Sequence, residues 1–261
     1  MAQNQRNDGF GGAFPPTGRL LIVSPHLDDA ALSCDALLRR SDATDVLTVF
    51  AGSPDPPQHG FWDELCGFRD SAEAIQARRA EEEAALRDDV TRLTFLDLAE
   101  AQYVDARSDS DAEAVAAAVA AWTGEGSSAT VALPAGAGWT VRGVPRPLLR
   151  VVRDWRGPLP HPDHVFVRDA VLPAVPNETA VVLYEEFPYA LAGAADGAVA
   201  RVAARHGRTV HAHLVEIDRE RKARRISAYA SQIPHLTKAG RLDEPSLLPE
   251  SERYWLLERR R

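Results

Sequence analysis

Short apolar runs alternate with helical patterns along most of this chain, and that alternation leaves few folds open. Residues 20–24, 46–51, 93–96, 129–133, 180–184 and 211–217 read as strands, and 254–257 as a closing edge strand. Residues 29–40, 61–88, 109–122, 165–174 and 219–232 carry helical spacing, the second of these broken near Gly67. Strands alternating with helices imply an α/β fold: a Rossmann-like, mainly parallel twisted sheet with helices on both faces and right-handed crossovers. Two connections stand out. Residues 52–60 hold three prolines, and residues 134–160 are rich in Gly, Pro and Arg. A connection as long as the second is uncommon unless it holds a short element or walls an active site. Residues 1–18, rich in Asn, Gln, Gly and Pro, read as a disordered lead-in, and 19–261 as a single domain.

Composition excludes several classes. A formal net charge of −8 argues against nonspecific nucleic-acid binding, which needs a basic footprint. No apolar run approaches the roughly 20 residues that span a bilayer, and no secretory signal pattern is visible. The two cysteines, Cys34 and Cys66, form no Cys-x-x-Cys pattern, so a reduced, cytoplasmic setting is expected.

The chemistry-bearing residues gather at two junctions. Ser24-Pro25-His26-Leu27-Asp28-Asp29 follows the apolar run Leu20-Leu21-Ile22-Val23 and precedes a helix. The carboxyl end of a strand in an open α/β sheet is the usual address of an active site. His26 and Asp29, at i and i+3, suit one divalent cation, which leaves Asp28 free as a base. Far downstream, His161-Pro162-Asp163-His164 opens another helix, with Pro162 favourable at its start. His26, Asp29 and one imidazole of the second cluster make three ligands with a fourth position open to water, the layout of a hydrolytic zinc centre. The plainer alternatives are that Asp28 or Asp29 merely caps a helix, and that Asp163 merely answers a helix dipole. Neither explains a His and two Asp at the end of a core strand together with a second His pair.

These two motifs, in this order, resemble the PIG-L/LmbE family of zinc-dependent N-deacetylases, over residues 19–232. Weaker similarities are Arg78-Arg79-Ala80-Glu81, Leu96-Asp97-Leu98, Leu133-Pro134 and Tyr229-Ala230-Ser231-Gln232. The resemblance implies one Zn²⁺ per chain held by His26, Asp29 and His164, with Asp28 as general base. His161 becomes the electrostatic or general-acid partner, expected to be protonated. The usual motif is His-Pro-Asp-Asp-Glu; here Leu27 replaces Pro and Ala30 replaces Glu. Asp163 is expected to orient His161 or His164. Arg78, Asp97, Tyr184 and Glu185 are the candidate substrate contacts; Glu186 and Trp139 are further candidates for the pocket. The expected reaction is hydrolysis of an N-acetyl or other N-acyl group on a small amino sugar or its conjugate. The rivals are an amidase for a larger amide or thiol conjugate, and an inactive small-molecule binding protein.

Overall fold

The computed structural model describes residues 14, 18–39, 43–125, 129–136, 160–192, 195–237 and 240–259. Most of the expected lead-in, and residues 137–159 with Trp139, lie outside these. The sheet is built around β1 (Arg19–Ser24), whose run of apolar residues is buried on both faces, as a central parallel strand requires. β2 (Thr44–Thr48) and β4 (Ala129–Pro134) flank it in parallel, with Leu20 opposite Thr44 and Thr130. β3 (Arg92–Phe95) extends the β2 side and β5 (Ala180–Tyr184) the β4 side. β7 (Ser251–Arg259) pairs antiparallel with β5, and β6 (Arg208–Glu216) closes the sheet against β7. The order is β3-β2-β1-β4-β5-β7-β6. The mainly parallel sheet is therefore as expected, but the last strand is interior and β6 is the edge.

Side-chain alternation along the strands divides the core into two layers. Leu21 and Val23 face a layer with Val115 and Val119 of α5 (Asp109–Gly124) and Val167 and Val171 of α6 (Pro162–Val171). That layer also holds Val199 and Val202 of α7 (Asp196–Arg205), a helix the sequence reading omitted. Leu20 and Ile22 face the opposite layer. It contains Leu32 of α1 (Asp29–Ser33), Leu37 of α2 (Asp35–Leu38), Leu86 of α4 (Ser71–Leu86) and Ile226 of α8 (Arg219–Ile226).

The long helix expected over 61–88 breaks where anticipated. α3 (Phe61–Cys66) ends at Gly67, whose φ of 80° is the left-handed cap glycine tolerates. Asp70 then caps α4 by accepting from Glu73 N. The helix expected over 29–40 is two, separated at Cys34. The cause lies at the other end of the chain. Glu252 on β7 accepts from the backbone N–H of Asp35 and Ala36, both at 2.9 Å, and so starts a new helix. The helix expected over 219–232 stops at Ile226, and a short turn, α9 (Ile233–Leu236), follows.

Candidate active site

β1 sends its connection to β2 on one side, and β4 lies on the other, so a crevice opens beyond their carboxyl ends. The first motif leaves β1 directly into it. Ser24 Oγ donates to the carbonyl of His26 and accepts from Ala30 N, at 2.8 and 3.0 Å, tying the turn. Leu27 and Ala30, the two departures from the usual motif, are fully buried: Leu27 packs with Ala51 and Ile75, and Ala30 with the α1 layer. Asp28 takes the N-cap position of α1, yet its side chain makes no capping bond, so its carboxylate remains for the cleft. Asp29 Oδ2 accepts from His26 N at 2.9 Å.

Three donor atoms then converge. His26 Nδ1 lies 3.2 Å from Asp29 Oδ2, His164 Nε2 lies 3.2 Å from the same oxygen, and the two nitrogens are 3.3 Å apart. Tetrahedral zinc with bonds of about 2.0–2.1 Å sets its ligand atoms about 3.3–3.4 Å apart, so this triangle has the right size. His26, His161 and His164 also form a looser group, with donor atoms within 4.8 Å of one another. His161 is committed differently: its Nδ1 accepts from Asp163 N at 3.2 Å as the N-cap of α6.

Asp163 orients neither of the imidazoles expected. Its Oδ2 sits 3.0 Å from Nε2 of His26 and accepts from Ala101 N at 2.9 Å, while Oδ1 receives the guanidinium of Arg107. The reason is helical geometry: Asp163 and His164 leave adjacent positions of α6, so Asp163 reaches across to the other histidine. Arg107, missed in the sequence, also lies over the Phe50 ring at 3.9 Å.

The charges shape one another. Burial, reinforced by the neighbouring Asp29 and partly offset by Arg78 and His26, raises Asp28 to about 6. Burial alone would lower His164; the charge of Asp29 and bonds to Asp29 and Glu186 outweigh it and carry His164 to about 9. Burial likewise opposes ionisation of Asp163, but His26 and Arg107 hold it well below the usual carboxylate range. Burial and the nearby His26 and His164 push His161 down to about 3. The expectation of a protonated His161 is thereby corrected: the ring is neutral, with Nδ1 occupied as acceptor and the proton on Nε2.

The cleft encloses about 330 Å³. Arg78 lines it and pairs with Glu100, both buried. The other three substrate candidates have other tasks. Tyr184 is buried, its hydroxyl donating to Val23 O at 2.9 Å. Glu185 accepts from Ala195 N at 3.2 Å. Asp97, 85% exposed, pairs with Arg79. None of the three lines the cleft. Its apolar lining has no counterpart in the sequence expectations: Phe61, Trp62, Phe187, Tyr189 and Leu236. Residues 229–232 are tied to α3 and α4. Tyr229 donates to Glu82, Ser231 to Glu81, and Gln232 accepts from Trp62 Nε1.

The model of the PIG-L family, described as GlcNAc-PI de-N-acetylase, matches residues 21–175, well over half of the chain. The chain belongs to the PIG-L family. Solved structures share its fold. The zinc-inhibited form of teicoplanin deacetylase Orf2 is 23% identical, with a TM-score of 0.68 over 93% of this chain and 99% of that one. The A40926 pseudoaglycone deacetylase Dbv21 is 24% identical, with a TM-score of 0.64 over 92% and 97%. The N,N'-diacetylchitobiose deacetylase of Pyrococcus horikoshii is 14% identical, with a TM-score of 0.52 over 92% and 83%. No curated protein sequence matches the chain. PIG-L membership makes the protein a hydrolase of the deacetylase type, and PIG-L deacetylases are metal-dependent.

Proposed function

We propose that this PIG-L chain removes an N-acetyl or similar N-acyl group from an amino sugar carried in a conjugate, with residues 19–261 acting as one domain and one Zn²⁺ per chain. The observation that carries the reading is the triangle of His26 Nδ1, Asp29 Oδ2 and His164 Nε2, with Asp28 beside it in the cleft. Two nitrogens and one carboxylate oxygen suit zinc, which when bound polarises a carbonyl and lowers the pKa of water toward about 7. Asp28 accepts a proton from the attacking water and returns it to the leaving amine. His161 donates a hydrogen bond from Nε2–H to the carbonyl oxygen as negative charge develops there.

The aromatic wall favours a conjugate over a free sugar, because a mostly apolar surface binds a flanking apolar group and little of a bare hexose. That the structural neighbours are named as deacetylases of teicoplanin, of A40926 pseudoaglycone and of N,N'-diacetylchitobiose supports the substrate class. No helix among the described residues is long and apolar enough to cross a membrane. Two cysteines outside any disulfide support a reducing, cytoplasmic compartment.

The test is a screen of N-acetylglucosamine, its aryl and alkyl glycosides and thiol-conjugate amides, read out by free amine. Glycosides should exceed the free sugar. Purified protein should carry about one zinc per chain, lost in His26→Ala, His164→Ala and Asp29→Asn. Asp28→Asn should keep zinc and lose about 10²–10⁴ in turnover. Activity confined to esters, or to amides without a sugar, overturns the substrate reading; zinc retained by both histidine variants overturns the ligand set.

A further inference from the structure

The two histidines of the triangle turn opposite ring nitrogens toward it. His26 offers Nδ1 and His164 offers Nε2. Each outer nitrogen meets a buried carboxylate: Asp163 on His26, and Glu186 on His164, where Glu186 Oε1 lies 3.3 Å from Nδ1. We infer that Glu186 is the positioning residue that holds His164 as a metal ligand; this rests on the zinc site proposed above.

The carboxylate accepts hydrogen bonds and donates none, so it fixes the proton of His164 on Nδ1 and leaves the lone pair of Nε2 facing the triangle. The same Oε1 accepts from Gly136 N at 2.6 Å, which anchors it to the root of the long connection after β4. Glu186 is 1% exposed, and among the described residues its Oε2 has no hydrogen-bond partner. Anchoring Gly136 alone would need only a neutral acceptor such as an amide oxygen. A buried carboxylate with an unpaired oxygen is costly unless positive charge stands close. A protonated His164 meets that need when no metal is bound, and a cation held by His164 would meet it otherwise; in return the carboxylate strengthens the imidazole as a donor.

The experiment measures zinc affinity by competition with a chromophoric chelator, and the Tm of each zinc-free protein. Glu186→Gln keeps an acceptor for Gly136 but removes the charge. It should unfold no lower than wild type while binding zinc about 10-fold more weakly, and Glu186→Ala should reach the upper end of the 10–100-fold loss typical of such outer partners. Zinc affinity of Glu186→Gln within about twofold of wild type overturns the proposal, whatever the alanine variant does. His164→Ala is the control for the site: if it still binds zinc as wild type does, the ligand assignment fails and the role of Glu186 with it.

Discussion

Asp28 is 6% exposed and stands between a like charge, Asp29, and an opposite one, Arg78. The balance decides where the base ionises. With Asp28 raised to about 6 and active when deprotonated, kcat/KM should rise with pH through that value. Arg78 favours the ionised form, so Arg78→Met should move the acid limb to higher pH, checked by a pH–rate profile beside wild type. An unmoved limb would show that Arg78 serves substrate binding or Glu100 alone. At this scale the sequence was legible where spacing speaks. His26, Asp28, Asp29, Asp163 and His164 meet because two short motifs each bring their own geometry. It was less legible where a side chain's direction depends on strand parity. Tyr184, Glu185 and Glu186 are all candidates after β5, but neighbouring residues turn to opposite sides: Glu186 reaches His164, while Glu185 turns toward Ala195. Parity could not choose between them from sequence, because Val181 and Leu183 are as buried as Val182 and Tyr184.

Among elements, the C-terminal segment supports the helices that follow the first motif. Glu252 on β7 holds Lys222 of α8 at 2.7 Å, both buried, while its oxygens also cap α2. Lys222→Met would leave that carboxylate buried without its cation, a loss of about 3–5 kcal/mol. Denaturant unfolding should show a lower midpoint at unchanged slope. The same packing accounts for the misread helix. Residues 29–40 have an unbroken helical pattern, and only a carboxylate more than 200 residues away splits it. The helix Asp196–Arg205 was overlooked for a different reason. It is short and Ala-rich, and although its apolar residues fall on one face, that face carries only two valines, too little bulk to stand out in the sequence.

For the whole molecule, burial of Glu82 links stability to pH. Burial raises this carboxyl from its ordinary 4.5 to about 8, against the bonds from Tyr229 and Thr48. The folded protein then holds a proton that the unfolded chain releases, so the contribution of Glu82 is most favourable below about 4.5 and declines as pH rises toward about 8. Glu82→Gln should remove this decline: its Tm relative to wild type should be higher at pH 8 than at pH 5. Equal differences at both values would mean that Glu82 is ionised in the folded state. The sheet itself was legible because parallel strands buried on both faces read as continuous apolar runs. The position of β7 inside the sheet was not, because strand order beyond the parallel core is set by packing partners.

The cap that Glu252 places on Asp35 has a consequence for synthesis. At about 5–20 residues per second, the ribosome makes residue 252 roughly 10–45 seconds after residue 35. Throughout that interval the nascent chain already displays His26, Asp28 and Asp29, while the start of α2 lacks its cap and β5 lacks β7 as its neighbour. The turn that presents these three residues to the cleft is thus followed by a helix start that stays uncapped until the strand carrying Glu252 has been made.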